Sequence, residues 1–221
     1  MGAIYLGHDW TERGHIIRHN YLHHLGQFNR RDVMGVYLDD FASGATVQGN
    51  VFVDAGRGVV IGGGRDNTID NNLFVDGAAG VQADARGLTW AKQYASGEQS
   101  PLVQRLVAMP IDSEPYRTRY PELAKLLADQ ATMPKGNRIE RNVFRCQITI
   151  DLHDPATEQE VAVRDNWSGR DPHFVDANRG DYRLREDSPA FKLGFQPIPW
   201  QQIGRQLPSD SQRVVAAPTP Q

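Results

Sequence analysis

The sequence predicts an all-β chain, a right-handed parallel β-helix built as a single-stranded solenoid with a partly helical insertion. Three observations lead to this prediction. Four segments share one short template, asparagine recurs at one position of it, and the 221 residues include 21 glycines, which is typical of a chain with many turns. Self-similarity at a period of about 20–50 residues indicates a repeat architecture.

The template consists of a short β run, a turn, a second β run, and then Asn followed by an apolar pair. Its copies lie at 3–22, 35–52, 58–74 and 80–87. The fourth copy stops after its first strand and resumes at 136–144. The shared Asn position is held by Asn20, Asn50, Asn72 and Asn142. Its spacing is uneven, as expected when one turn varies in length while the strands do not.

Apolar residues alternate within each strand, so that one face points inward. Ile4 and Leu6 do so in the first copy, and Val36 and Leu38 in the second. Each strand is too short to bury that face alone, so the coils must stack into a continuous core. Stacked Asn amides can pair from coil to coil. The consensus sequence of leucine-rich repeats is missing from this chain. A β-propeller would need about four strands per ~40–45 residues, whereas each copy of the template supplies two strands.

The chain divides into four predicted segments. Residues 1–90 form β-helix coils, 91–135 form an insertion with one or two short helices, and 136–205 form the final coils and a closing segment. Pro121 stands at a plausible helix start within the insertion. Residues 206–221 are predicted to be a disordered tail.

Outward residues at the strand ends form columns that could carry chemistry. Alignment of the strands puts Gly7, Asp39, Gly62 and Asp84 in one column. At about 4.8 Å per coil, the two Asp backbones should lie roughly 9–10 Å apart. Inverting glycosidases hold their carboxyl groups about 6.5–9.5 Å apart. The glycine run that starts at Gly62 leaves space for a sugar ring, since strand glycine often marks the close approach of a ligand.

Other side chains lie near these columns in the alignment. The candidate substrate-binding residues are His8, Trp10, Arg65, Asp66 and Arg86. The arginines would hold substrate hydroxyls or a uronate carboxylate, or tune carboxyl pKa values, and the tryptophan would stack on a sugar. Simpler alternatives stay open: an outward Asp is often a turn cap, a glycine run can be a bulge, and Trp10 can belong to the core. No metal site is predicted.

Composition excludes several classes of function. A net charge of −3 argues against a nucleic-acid partner. No apolar run approaches the ~18 residues of a membrane span, so no membrane partner is predicted. The chain opens without a signal peptide. Its single cysteine, Cys146, excludes an internal disulfide framework.

The chain resembles the right-handed β-helix carbohydrate-active enzymes with the pectate-lyase-like fold, above all the glycoside hydrolases of the α-L-fucosidase and xylanase type. The resemblance covers about residues 3–205 and is carried by AIYLGHDWTERG, GVYLDDFASG, GRGVVIGGGRDN, DARGLTWA and the closing GDYRLREDSPAFKLGF. It implies a catalytic pair of Asp on neighbouring coils, which would be Asp39 or Asp40 with Asp84. It also implies a secreted or periplasmic protein. Members of the family are longer, so the resemblance implies a truncated or minimal form.

The leading hypothesis is therefore a glycoside hydrolase that acts on a polysaccharide or oligosaccharide without a cofactor. One Asp would protonate the leaving oxygen while the other activates water. The alternative is a polysaccharide lyase or epimerase, with Ca²⁺ as a candidate cofactor. Such an enzyme commonly uses Lys or Arg as its base. The lysines lie outside the columns, which counts against a lyase, so the base would be Arg65 or Arg86. A third hypothesis is a non-catalytic glycan-binding solenoid.

Carbohydrate is the predicted partner in each of these hypotheses. A second partner is predicted from the first coil, 3–22, because open strand edges and an uncovered apolar core invite pairing with another chain. The sequence therefore predicts self-association through the uncapped N-terminal coil.

Overall fold

A computed structural model of the protein describes residues 1–25 and 32–204. Within these residues, three parallel sheets of five strands each are joined by one antiparallel hairpin. Strands predominate and helices are few, an architecture compatible with the predicted all-β solenoid. The predicted tail, 206–221, lies outside the described residues. In the described part of the chain, no helix has the length and apolar character needed to span a bilayer.

Each sheet collects one strand from every coil. The first sheet contains β1 (Gly2–Gly7), β4 (Met34–Asp39), β7 (Arg57–Gly62), β10 (Ala79–Asp84) and β13 (Ile148–Leu152), in that order. The second contains β2 (Ile16–Arg18), β5 (Thr46–Gln48), β8 (Thr68–Asp70), β11 (Arg138–Glu140) and β14 (Ala162–Arg164). The third contains β3 (Tyr21–His23), β6 (Val51–Val53), β9 (Leu73–Val75), β12 (Val143–Arg145) and β15 (Trp167–Ser168).

A coil therefore carries three strands where the sequence template supplies two. The extra strand is the apolar pair after the template Asn, which lengthens into β3, β6, β9 and β12. The pair pattern is too short to indicate a strand on its own. The segment that interrupts the fourth copy of the template lies between β10 and β11.

The predicted register of the first sheet is also confirmed. Leu38 is paired with Leu6 on one side and with Ile61 on the other, and Ile61 is paired with Ala83. Leu38, Ile61 and Ala83 are fully buried in the core. The alternation read from the sequence thus places the apolar face of each strand inward.

An asparagine ladder runs along the solenoid at the corner between the second and third sheets. The Nδ2 atom of Asn20 donates to Oδ1 of Asn50 at 2.9 Å, and the chain of bonds continues through Asn72 and Asn142 to Asn166. The predicted pairing of the four template asparagines is confirmed. Asn166 extends the ladder beyond them, and sequence reasoning missed it because its copy of the template is incomplete.

A column of phenylalanine rings supports the core. Phe52, Phe74 and Phe144 stack with centroid separations of 4.8 and 4.9 Å and nearly parallel planes. The rings lie against the glycine column of the first sheet, and a Cβ built on Gly58 would approach the Phe74 ring to 2.5 Å and the carbonyl oxygen of Gly80 to 2.6 Å. Glycine is required here because strand backbone and ring share the same space.

We expect Gly58→Ala to lower the free energy of unfolding by about 2–3 kcal/mol, because overpacking of a core forces backbone shifts. Urea unfolding followed by circular dichroism would measure the loss. Gly97→Ala is the comparison, since a Cβ at Gly97 meets nothing within 4 Å and its cost comes from a positive φ alone. Equal losses in the two variants would contradict the packing argument.

The predicted insertion, 91–135, contains several short helical elements. Its described residues form α1 (Lys92–Ala95), α2 (Pro101–Ala108) and α3 (Tyr116–Arg119), and a 3₁₀ turn over Pro121–Lys125. These elements bury Leu102, Leu106, Leu123 and Leu126 together with Trp10 and Phe41 of the coils. The insertion therefore packs as one body over the first two coils.

The closing segment packs on the flank of the solenoid. After α4 (Pro155–Glu160), the hairpin β16 (Phe174–Asp176) and β17 (Asp181–Leu184) leads into turns that cover the outer face of the third sheet. Two hydrogen bonds between Asn71 and Gln196 fasten it there. The closing segment covers the flank of the coils because the third sheet presents apolar side chains outward as well as inward, notably on β6 and β9.

Candidate functional site

The structure places Asp39 and Asp84 in one outward column, as the alignment predicts. Asp39 pairs with Gly7 across β1 and β4, and Asp84 pairs with Gly62 across β7 and β10. Both carboxylates stand at the carboxyl ends of strands of the first sheet. Asp40 follows Asp39 with a positive φ of 27°, which turns its side chain toward the same place.

Arg86 joins these three carboxylates. Its Nη1 donates to Asp39 Oδ1 at 2.6 Å and to Asp40 Oδ1 at 2.7 Å, while Nε and Nη2 donate to the two oxygens of Asp84 at 2.8 and 2.7 Å. A Cβ on Gly62 would come within 2.5 Å of the Arg86 Cζ atom. The expectation of an open gap is corrected: the glycine makes room for this guanidinium instead of for a sugar ring.

Two tyrosines and a histidine complete the group, which we call the Arg86 cluster. The Tyr5 hydroxyl donates to Asp39 Oδ2 at 3.0 Å and lies 3.0 Å from His8 Nε2. The Tyr37 hydroxyl accepts from Arg86 Nη1 at 3.3 Å. Sequence reasoning placed His8 here and missed both tyrosines. The signal was available, since Tyr5 and Tyr37 share the outward column two residues before that of Asp39.

Charge and burial shift the ionisation of the cluster. Burial raises the pKa of Asp39, but hydrogen bonds from Tyr37 and Tyr5, the Asp40 amide and the charge of Arg86 together hold it below its usual value. Burial and the bond to Asp39 raise the pKa of Tyr5 to about 12. Burial opposes the charge of Arg86, yet its bonds to Asp84 and its other partners raise its pKa further. At neutral pH, Asp39 is therefore ionised and Tyr5 and Arg86 are protonated.

Arg65 and Asp66 contact other parts of the chain. Arg65 Nη2 bonds Asp129 of the insertion at 2.5 Å, and Asp66 bonds Arg13 at 2.8 Å. The Asp129 carboxylate also accepts from Lys135 at 2.7 Å. The Arg65–Asp129 pair fastens the insertion to the coils, whereas the Arg13–Asp66 pair joins two coils. None of the ion pairs of Arg65 or Asp66 among the described residues involves the Arg86 cluster.

Trp10, a predicted sugar-stacking residue, and Trp90, which follows Arg86 closely in sequence, differ in exposure. Trp10 is 1% exposed and packs edge-on to Phe41 beneath the insertion, so its predicted stacking role is corrected to a core role. Its burial depends on an insertion far away in sequence. Trp90 is 59% exposed, and the Arg86 Cζ atom lies 5.4 Å from its ring centroid. Trp90 therefore offers an accessible aromatic face beside the carboxylates.

One combination of side chains in the cluster could be considered for a metal ion. His8, Asp39 and Asp40 each offer a ligand atom, and these atoms lie within 4.8 Å of one another. The donor set does not suit Ca²⁺, which takes six to eight oxygens. Arg86 already contacts both carboxylates within 2.7 Å. These residues therefore form an ion-paired group that does not fit Ca²⁺, the candidate cofactor of a lyase.

A cavity of about 810 Å³ opens elsewhere, at the last coil, and its lining includes no predicted site residue. It is framed by β13 and β14 and exposes Ile148 and Val163.

No family model, curated protein or solved structure matches the chain. The chemistry of the site therefore follows from the Arg86 cluster itself, which contains three carboxylates, a guanidinium, two tyrosines and an imidazole, and from the exposed indole of Trp90 beside it.

Proposed function

We propose that the chain is a right-handed parallel β-helix and that it acts as a glycoside hydrolase through Asp39 and Asp84. The observation that supports this is their position in one outward column, on strands two coils apart. Trp90 adds an exposed aromatic surface next to them, of the kind on which a sugar ring can stack. The resemblance to β-helix glycan-degrading enzymes points to the same chemistry.

The proposal assigns the two carboxylates different tasks. Asp39 is ionised at neutral pH because of its hydrogen bonds, and it would act as the base that activates water. Asp84 would protonate the leaving oxygen. Since both of its oxygens accept from Arg86 in this structure, substrate must draw Arg86 away before Asp84 can hold a proton. Substrate hydroxyls would then accept the hydrogen bonds that Arg86 releases.

A non-catalytic glycan-binding solenoid is the second candidate, and the bonds of Arg86 favour it. A guanidinium that satisfies all three carboxylates makes a stable polar surface and leaves no free acid among them. A lyase has less support, because its base would be Arg86 or Arg65. The pKa of Arg86 is raised, which is the wrong direction for a base, and Arg65 is bonded to Asp129.

Release of reducing ends from a panel of plant and algal polysaccharides tests the proposal, with the absorbance of unsaturated uronates read in parallel. We expect reducing ends without new absorbance, and a loss of at least about 100-fold in rate for Asp39→Asn and for Asp84→Asn. Asp187→Asn, on the flank, should keep full activity. Glycan binding without release, unchanged in both variants, would establish the binding solenoid. New absorbance would establish a lyase.

The two predicted binding partners are proposals, like the hydrolase function. They are a carbohydrate ligand and, through the first coil, a second copy of the chain. Light scattering at several protein concentrations would show the second.

A further inference from the structure

The outward columns of the first sheet continue beyond Asp84. Gln82 is paired with Asp151 on β13, and the amide of His153 donates to the carbonyl oxygen of Ala83 at 3.0 Å. Asp151 therefore extends the column of Tyr37, and His153 follows in the column of Asp84. The two columns form a surface from β4 to β13, which we call the outer strip. Its side chains are polar except on β7, which contributes Val60 and Gly62, and the Arg86 guanidinium lies over Gly62. At about 4.8 Å per strand the strip is roughly 14 Å long.

The far end of the strip holds a cavity of about 250 Å³. Its lining consists of Asp32, Arg57, Ala78, Ala79, Gln82, Ile148, Asp151 and His153. Arg57 Nη1 donates to Gln82 Oε1 at 2.8 Å, which fixes one wall. Among the described residues, neither the Asp151 carboxylate nor the His153 ring has a hydrogen-bond partner. The cavity therefore offers an acceptor and an imidazole, together with the Arg57 and Gln82 side chains, to a ligand with many hydroxyl groups.

The charge of the strip selects among glycans. The acidic side chains along it are Asp32, Asp39, Asp40, Asp84 and Asp151, and the guanidinium groups are those of Arg57 and Arg86. Arg86 is already shared by three carboxylates. A polyuronate would bring a carboxylate against this surface for each sugar, and like charges at close range repel. A neutral glycan has no such penalty and can donate its hydroxyl protons to the free Asp151 carboxylate.

We infer that the strip binds a neutral, extended glycan along the solenoid axis, with one sugar held in the cavity by Asp151 and His153. This inference rests on the proposed carbohydrate function and deepens it. A ligand that contacts both Asp39 on β4 and Asp151 on β13 spans three strand steps, roughly 14 Å at about 4.8 Å per strand, and is longer than one sugar. The binding site therefore takes a chain and not a monosaccharide. A substrate without a uronate carboxyl also has no acidified proton for β-elimination.

Calorimetric titration of the full chain tests the inference, with hexagalacturonate and a panel of neutral hexasaccharides from xylan, cellulose and mannan as the probes. We expect at least one neutral hexasaccharide to bind, and hexagalacturonate to bind at least about tenfold more weakly. Asp151→Asn and His153→Gln should each weaken the neutral ligand by about tenfold, the loss of one well-made hydrogen bond to a charged or polar group. Both variants keep the size of the side chain, and thermal unfolding would verify that they fold.

Glu186→Gln is the matched control, because Glu186 is exposed on the flank outside the strip. This variant should bind the neutral hexasaccharide as tightly as the parent chain does. Binding of hexagalacturonate as tight as that of the neutral probes would overturn the inference. So would unchanged affinity in both strip variants, or no binding of any neutral probe. Binding that depends on Asp151 without release of reducing ends would leave the inference standing while the hydrolase proposal fails. Release of reducing ends with unchanged affinity in both strip variants would overturn the inference while the hydrolase proposal stands.

Discussion

Replacement of Arg86 by Met is expected to lower the free energy of unfolding by about 3–5 kcal/mol at neutral pH. The guanidinium is 8% exposed and contacts Asp39, Asp40 and Asp84 within 2.7 Å. Its removal leaves three carboxylates at short range with no counter-charge, and breaking a buried ion pair by removing one partner costs about that much. Urea unfolding of the two chains would measure the difference.

The pH dependence of the same variant gives an independent check. In the parent chain the pKa of Asp39 is lowered on folding, so its stabilising contribution is present above the unfolded pKa and is lost as pH falls through the folded pKa. In Arg86→Met the carboxylates repel one another, and their protonation near pH 4 should recover part of the lost stability. A deficit that is the same at pH 4 and pH 7 would contradict the assignment.

The matched control is Arg183→Met. Arg183 makes two close bonds to Asp181, as Arg86 does to Asp84, but its side chain is 58% exposed. Ion pairs exposed to solvent contribute little to stability because water and salt screen them, so this variant should unfold almost as the parent does. The contrast separates burial from bond geometry.

Asn72→Ala is expected to destabilise the chain by about 4 kcal/mol. Asn72 is fully buried, accepts from the backbone amide and Nδ2 of Asn50, and donates to the carbonyl oxygen of Val47 at 2.8 Å. Alanine would leave the Asn50 amide, the Asn50 Nδ2 group and the Val47 carbonyl without these hydrogen bonds in a region closed to water. Each unsatisfied buried group costs about 1–3 kcal/mol. A shift of the urea midpoint, with an unchanged slope, would measure the loss.

Asn20→Ala is the comparison from the end of the same ladder. The Asn20 side chain donates to Asn50 and to the carbonyl oxygen of Arg18, and it is partly exposed. Water can replace these bonds, so we expect a loss below about 1 kcal/mol. If the two alanine variants were equally unstable, the ladder would act through local turn geometry and not through buried hydrogen bonding.

The repeats and their register could be predicted because the signals are local. Apolar alternation identified Val36 and Leu38 as inward residues, and the recurring Asn identified the corner ladder. The ladder of Asn67 and Asn137, with an Nδ2–Oδ1 distance of 3.1 Å, was missed although both residues directly precede strands of the second sheet. A comparison of RDNTID with KGNRIE would have shown it.

The candidate site could be predicted only in part, because its assembly depends on long side chains. Strand alignment brought Asp39 and Asp84 into one column from backbone periodicity alone. The direction taken by the flexible Arg86 side chain follows from the contacts around it, which no spacing encodes. The burial of Trp10 likewise follows from the insertion, whose position relative to the coils has no local signal.

The insertion also sets an order for folding. Successive ladder asparagines Asn50 and Asn72 are 22 residues apart, whereas Asn72 and Asn142 are 70 apart. Closing the longer loop costs about 1 kcal/mol more in chain entropy, if both segments behave as flexible coils. The coils before the insertion can therefore zip together from short-range contacts, and those after it dock later onto their exposed edge. A slow kinetic phase should report the second event, and shortening the insertion should accelerate it.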